Sequence, residues 1–189
     1  MESKKGGIYV GNDVKLLLIG FAIYLIVFLV PIFLYLKFKE KTNPFVFLRL
    51  KNNMLKNILK GAAFSTIYLI ILVIKNIVLQ KKSIDMNIGM MWLAVLLVGF
   101  FEEIPFRGFI LQKLQKKMNF WNANITTTII FVLLHFPNWI VSGTDMVSSI
   151  ITVSMGSLVF GFLFKEYDTL WIPIMCHSVF NMTTWIGLK

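Results

Sequence analysis

The sequence is poor in cysteine, in acidic residues and in histidine. Its single cysteine, Cys176, excludes an internal disulfide and a zinc knuckle. Only nine acidic residues oppose 19 lysines and arginines, which gives a net charge of +10. The basic residues flank apolar runs and form no separate domain, so nucleic acid is not an indicated partner. This charge pattern is instead typical of loops that orient a membrane protein against anionic lipid.

Polar residues are also scarce, because 57% of the residues are hydrophobic and the mean hydropathy is +0.76. A soluble domain of 189 residues has no use for so much apolar surface. Six apolar runs are close to the length of about 20 residues that a helix needs to cross a bilayer. They cover residues 16–36, 58–79, 90–111, 121–141, 146–164 and 170–188. The sequence therefore predicts an all-α, polytopic membrane protein with about six transmembrane helices in one bundle.

The connection at residues 37–57 is basic but also carries apolar side chains, and Asn43 followed by Pro44 is typical of a helix start. This pattern predicts an interfacial helix that lies on the bilayer after the first span. We divide the membrane domain into two parts. Residues 1–89 hold two transmembrane helices and the basic segment, and residues 90–189 form a four-helix core.

Charged side chains interrupt the third apolar run. Glu102, Glu103 and Arg107 lie in it, and each charge at the middle of a membrane costs about 2.5–3.5 kcal/mol. At about 100° per residue, Glu103 and Arg107 share one helix face and can pair, whereas Glu102 points elsewhere. Pro105 has no N–H group, so a bend is expected there. An unpaired carboxylate inside a membrane predicts a functional site.

The two histidines of the chain also lie in apolar runs, each with a partner one helical turn away. His135 follows Phe131 by four residues in the fourth run, and Asn181 follows His177 by four residues in the sixth. Each pair therefore shares a helix face. Ionisable groups at membrane depth face the bundle interior and seek one another. We therefore expect both histidines to meet Glu102.

The expected depths of these groups differ. At about 1.5 Å per residue, Glu102 and His177 lie at similar depths below the membrane surface, whereas His135 lies closer to it. A start of the fourth span near Thr126 would bring His135 to the level of the others.

Such a group of side chains can carry out hydrolysis. A carboxylate in a site of low dielectric can act as a general base, and a histidine within reach can help to deprotonate a water molecule. A second histidine and an amide, one helical turn apart, can stabilise an oxyanion. We expect a hydrolase in which activated water attacks an amide bond without a covalent intermediate.

Three motifs carry a resemblance to a known family. The ordered set Glu102-Glu103-x-x-x-Arg107, Phe131-x-x-x-His135 and His177-x-x-x-Asn181 resembles the signature motifs of the CAAX protease and bacteriocin-processing (CPBP, or Abi) membrane proteins. The resemblance covers roughly residues 90–185. It implies a helical membrane endopeptidase of the glutamate type that needs neither metal nor cofactor. The implied roles are water activation (Glu102, His135), oxyanion stabilisation (His177, Asn181) and support of the site (Glu103, Arg107, Phe131).

The resemblance also implies a partner and a location. The expected substrate is a peptide or protein in or at the membrane, and many bacterial members are associated with bacteriocin immunity or peptide processing. The short chain, rich in Lys, Asn and Ile, favours a bacterial source and a multi-pass location in the cell membrane. Residues 90–189 are then the catalytic core. Nothing in the sequence indicates a particular oligomeric state.

Three alternatives remain open at this stage. Zinc accepts the ligands that Glu102, His135 and His177 offer, so a His₂Glu metal site is chemically possible. A non-catalytic immunity protein that binds a bacteriocin or its receptor would keep the same motifs for structure. A small transporter could use Glu102 and the histidines as a proton relay, although the first, second and fifth runs offer few polar residues for a path.

Overall fold

A computed structural model describes residues 9–51, 53–79, 81, 84–89 and 91–187. All regular elements among these residues are helical. They are α1 (Tyr9–Tyr24, continued by Leu25–Leu29, Val30–Leu34 and Tyr35–Lys39), α2 (Pro44–Phe47), α3 (Met54–Val73, continued by Ile74–Leu79), α4 (Met91–Glu103, continued by Ile104–Leu111 and Gln112–Gln115), α5 (Phe120–Ser142), α6 (Met146–Tyr167) and α7 (Trp171–Trp185). The prediction of an all-α protein is confirmed.

Within the described residues, four helices are long and apolar enough to cross a membrane. They are Leu18–Lys39, Met54–Val78, Phe120–Ser142 and Met146–Tyr167, and they correspond to the first, second, fourth and fifth predicted spans. The third predicted span is α4, which carries three charges. The sixth is α7, whose 15 residues make a helix about 22 Å long. The polytopic helical bundle is confirmed. Of the six expected spans, the third is too charged and the sixth is too short to qualify as a membrane span by length and composition alone.

The basic connection after α1 differs from the interfacial helix that the sequence predicts. The helix start is correct, since Asn43 Oδ1 accepts from the backbone N–H of Phe45 at 3.0 Å. However, α2 has only four residues, and the loop that follows it packs into the bundle. Leu48 and Leu50 are buried, and the Leu50 carbonyl accepts from Trp171 Nε1 at 2.9 Å. Burial of these leucines holds the segment after α2 against the start of α7. Helix α2 is therefore a single turn and not a longer helix on the membrane surface.

The bundle has apolar outer faces and polar groups inside. Ile26, Ile71, Leu133 and Ile151, on α1, α3, α5 and α6, are exposed. Polar and charged side chains from α4 to α7 are buried, among them Glu102, Glu103, Arg107, Asn124, Thr128, Ser157 and His177. A membrane protein has this distribution because its outer surface faces lipid, whereas its ionisable groups must find partners in the interior.

Helices α4 and α7 approach closely at Gly99. A Cβ atom at this position would collide with Ser178 Oγ and would lie 2.6 Å from the Ile174 carbonyl oxygen. We expect Gly99→Ala to lower the free energy of unfolding by about 1–3 kcal/mol, because backbone atoms of α7 cannot move aside without repacking. Denaturant titration of the protein in detergent measures this loss.

Gly20 in α1 provides the matched control. A Cβ atom there would meet no atom within 4 Å, so Gly20→Ala is expected to leave stability unchanged or slightly raised. Equal effects of the two substitutions would contradict the close contact between α4 and α7.

Candidate active site

The helix that carries the two glutamates changes geometry at Pro105. Up to Glu103 α4 is a regular α-helix, and Ile104–Leu111 is π-helical. Because proline has no N–H group, the normal hydrogen bond to the preceding turn cannot form at this position. The sequence predicted a bend at Pro105, and the structure has a π-helical segment there. Such segments are frequent at functional sites. This change of geometry places Glu102 at the end of the regular helix and Arg107 inside the π-helical segment.

Arg107 and Glu103 form a buried ion pair. Both side chains are fully buried, and Arg107 Nη1 donates to Glu103 Oε1 at 2.7 Å. Arg107 Nη2 also donates to the carbonyl and the hydroxyl oxygen of Ser157, at 2.9 and 2.7 Å. The Ser157 hydroxyl in turn pairs with that of Thr128 at 2.9 Å. The predicted pair is therefore present, and it connects α4 to α5 and α6.

His177 joins this pair to the second glutamate. Its Nδ1 lies 2.6 Å from Glu103 Oε1, and since a carboxylate oxygen accepts, Nδ1 carries the hydrogen. Its Nε2 lies 3.6 Å from Glu102 Oε2. The ring of Phe160 stacks on the imidazole with the centroids 5.1 Å apart. Glu103 thus holds both Arg107 and His177, whereas the sequence predicted only the first contact.

Glu102 also faces the other histidine. The distance from Glu102 Oε2 to His135 Nε2 is 4.0 Å. His135 Nδ1 lies 2.8 Å from the carbonyl oxygen of Phe131, which can only accept, so Nδ1 is the donor. In a neutral ring with this tautomer, Nε2 is an acceptor. A carboxylate oxygen and an imidazole nitrogen, both acceptors, therefore face each other.

His135 reaches this position without the late helix start that its depth suggested. Helix α5 begins at Phe120, where Asn119 Oδ1 accepts from the N–H of Asn122 at 2.9 Å. The helix therefore starts where the fourth predicted span starts, near residue 121, and no shift of the helix start towards Thr126 is needed. Counting residues from a surface ignores the tilt of each helix in the bundle, and tilt is settled only by packing.

The remaining motif residues occupy different positions. The ring of Phe131 packs against the imidazole of His135, with the centroids 4.5 Å apart, and lies 4.9 Å from the guanidinium carbon of Arg107. Asn181 is half-buried, one turn beyond His177 on α7, and its amide has no hydrogen-bond partner among the described residues. The structure thus joins six of the seven predicted residues by direct contacts, and it leaves the Asn181 amide available.

Two contributors were not predicted as part of the site. The hydroxyl of Tyr24 on α1 donates to Glu102 Oε1 at 3.1 Å, and Ser157 on α6 binds Arg107. The sequence offered only weak signals for them. Ser157 belongs to a group of small residues that suggests close helix contact, and Tyr24 is one of few hydroxyl groups in an otherwise apolar span. Neither has a spacing that links it to the motifs.

An apolar cavity of about 500 Å³ adjoins the site. Its walls come from α3, α6 and α7 and include Phe64, Tyr68, Met155, Gly156, Phe160 and Phe180. Glu102 and His135 do not line it. Phe160 lines the cavity, and its ring also stacks on the imidazole of His177. The ionisable groups and this apolar cavity therefore share Phe160 as a neighbour.

A zinc site would need at least three ligating side chains close together. Among residues 9–51, 53–79, 81, 84–89 and 91–187, no three His, Cys, Asp or Glu side chains form a group that could hold a metal ion. Glu103 is engaged with Arg107 and with Nδ1 of His177.

Comparison with known proteins places the chain in a family. Residues 84–183 match the family described as type II CAAX prenyl endopeptidase Rce1-like, and this match covers just over half of the chain. The chain is also similar to the protein named "Putative membrane peptidase YdiL" of Bacillus subtilis (strain 168). The two are 31% identical over 80 residues, which are 42% of this chain and 29% of that protein. The match therefore spans less than a third of that relative's length.

No solved structure matches the chain. The match of the family to residues 84–183 nevertheless contains all three motifs, and the resemblance to CAAX proteases is confirmed. The chain belongs to the Rce1-like family of type II CAAX prenyl endopeptidases, which are membrane peptidases.

Proposed function

We propose that this protein is a membrane-embedded endopeptidase of the glutamate type, in which Glu102 and His135 activate a water molecule. One observation carries the proposal. Glu102 directs a single carboxylate oxygen, Oε2, towards Nε2 of both histidines, at 4.0 Å for His135 and 3.6 Å for His177. Buried ionisable groups that converge in this way are costly in a membrane and are a mark of function.

The first step uses the two acceptors that face each other. A water molecule between Glu102 Oε2 and His135 Nε2 can donate one hydrogen bond to each, since neither atom carries a hydrogen in the state described above. Glu102 takes a proton from this water as its oxygen attacks the carbonyl carbon of the peptide bond. The tetrahedral intermediate then forms directly from water, so no covalent enzyme intermediate arises.

The second step needs donors for the developing oxyanion. We assign them to Nε2 of His177 in its protonated form and to the Asn181 amide, which lie one helical turn apart on α7. Glu103 fixes the imidazole through Nδ1, and Arg107 fixes Glu103. Preorganised donors of this kind are worth more in a site that excludes water. The proton held by Glu102 passes to the leaving amine, which completes the hydrolysis.

The substrate in this proposal is a bacterial peptide or a membrane-associated protein, and the protein acts in the cell membrane. The apolar cavity lined by Phe160 supports a substrate with an apolar group. The name of the Bacillus subtilis relative supports peptidase activity. Peptide processing and bacteriocin immunity are the processes we propose for it.

Cleavage by the purified protein tests the mechanism. With candidate peptides in detergent, we expect wild-type protein to cleave and His135→Gln to lose about 10²-fold or more in kcat, because glutamine lacks the imidazole nitrogen that accepts the second hydrogen bond of the water and so orients it for proton transfer to Glu102. We expect a metal chelator to leave the wild-type rate unchanged. Chromatographic analysis of the products measures both effects.

Asn138→Ala, at an exposed position on the same helix, is the control and is expected to keep the wild-type rate. A rate that falls with chelator and returns with zinc would support the metal site instead. Protection against a bacteriocin that persists in His135→Gln without any cleavage would support the binding protein.

A further inference from the structure

The first helix contributes a side chain to the site. Tyr24 lies on α1, and its hydroxyl donates to Glu102 Oε1 at 3.1 Å. Tyr24 is half-buried and lies outside residues 84–183, the range that matches the family. This hydrogen bond therefore crosses from the N-terminal part of the chain to the first of the three motifs.

The two oxygens of the Glu102 carboxylate have different environments. Oε1 accepts from Tyr24, whereas Oε2 faces Nε2 of His135 and of His177. A glutamate side chain can turn about several bonds, and its terminal torsion is broad. A donor that holds one oxygen therefore decides where the other points. Without it, the carboxylate could rotate and present neither oxygen to the water.

The backbone places the Tyr24 hydroxyl at this position through neighbouring contacts. Phe21, one helical turn before Tyr24, stacks on Phe101 with the ring centroids 5.1 Å apart. Phe101 directly precedes Glu102 in α4. Thus two residues on one face of α1 contact two consecutive residues of α4. The π-helical segment Leu25–Leu29 begins directly after Tyr24, and such segments are frequent at functional sites.

We propose that Tyr24 is a positioning residue for the catalytic base: its hydroxyl binds Glu102 Oε1 and so holds Oε2 towards the two histidines. This inference rests on the proposed function, since it gives Tyr24 a role in the peptidase reaction. It also means that α1 completes the active site, although the family match begins only at residue 84.

Tyr24→Phe tests the role, because it removes one hydroxyl and keeps the ring. A hydrogen bond to a charged group is worth enough to change an equilibrium by about tenfold to a hundredfold. We expect kcat to fall by a factor in this range with KM within about twofold, since Tyr24 holds the base and not the substrate. Tyr35→Phe is the matched control. Tyr35 lies in the same continuous helix, and its hydroxyl bonds to Glu40 away from the site.

A spectroscopic measurement makes the test independent of turnover. The infrared difference between wild type and Glu102→Gln identifies the carboxyl band of Glu102. We expect Tyr24→Phe to shift this band, because the carboxyl group loses a hydrogen bond, and we expect Tyr35→Phe to leave it in place. A merely structural role for Tyr24 would not move this band.

The outcomes separate the two proposals. If wild type cleaves and Tyr24→Phe keeps both its kcat and the band position, the role of Tyr24 is overturned and the proposed function stands. If Tyr24→Phe changes KM alone, Tyr24 contacts the substrate and does not position the base. If wild type cleaves no peptide at all, the proposed function falls and this role falls with it.

Discussion

Replacing Glu102 by glutamine is expected to lower kcat by about 10²–10⁴-fold, the range that general base catalysis usually contributes. The amide has nearly the shape of the carboxylate and can still accept from Tyr24, but it cannot take a proton from water. The side chain is mostly buried, with 11% of its surface exposed, so a base from the solvent cannot easily replace it. Peptide cleavage under saturating substrate measures the loss.

Glu166→Gln is the control for this experiment. Glu166 is exposed near the end of α6, so the substitution removes a negative charge away from the site. It should keep the wild-type kcat. Removal of the negative charge at position 102 should not unfold the protein, because Arg107 retains Glu103 as its counter-ion. A Glu102→Gln protein that folds and cleaves at the wild-type rate would show that Glu102 is not the base.

Removing Arg107 is expected to have the largest effect on stability. Arg107→Met leaves Glu103 as a fully buried carboxylate without its counter-ion, and breaking a buried pair in this way costs about 3–5 kcal/mol. Two hydrogen bonds to Ser157 on α6 are lost as well. The free energy of unfolding, measured by denaturant titration in detergent, should fall accordingly. Glu103 also holds His177. Loss of the Arg107 contact to Glu103 should therefore displace His177 and abolish peptide cleavage.

Two further variants show whether the cause is the unpaired charge. Arg49→Ala removes the other arginine, whose ion pair with Asp168 is exposed, with 44% and 72% of the side chains accessible. Such surface pairs contribute about 0–1 kcal/mol, so a small effect is expected. The double variant Glu103→Gln/Arg107→Met leaves no buried charge of the pair and should recover part of the lost stability. A double variant no more stable than Arg107→Met would contradict the explanation.

Much of the bundle could be predicted from the sequence because apolar runs of span length have few other uses. The helices α3, α5 and α6 lie within a few residues of the predicted spans. The prediction of secondary structure was less accurate where an apolar side chain can be buried either in the bundle or in lipid. Leu48 and Leu50 are an example: their apolar side chains indicate the membrane surface as readily as the bundle core. The division at residue 89 stays a prediction.

The sequence by itself determined which ionisable groups must converge. Charged residues and histidines in apolar runs cannot face lipid at low cost, and helical spacing pairs Glu103 with Arg107 and aligns His177 with Asn181. Only the tertiary structure decided how they are shared: Glu103 binds both Arg107 and His177, and Glu102 turns one oxygen to the histidines and the other to Tyr24. Periodicity reports the face on which a residue lies within its own helix, whereas the tilt, depth and neighbours of each helix depend on packing between helices.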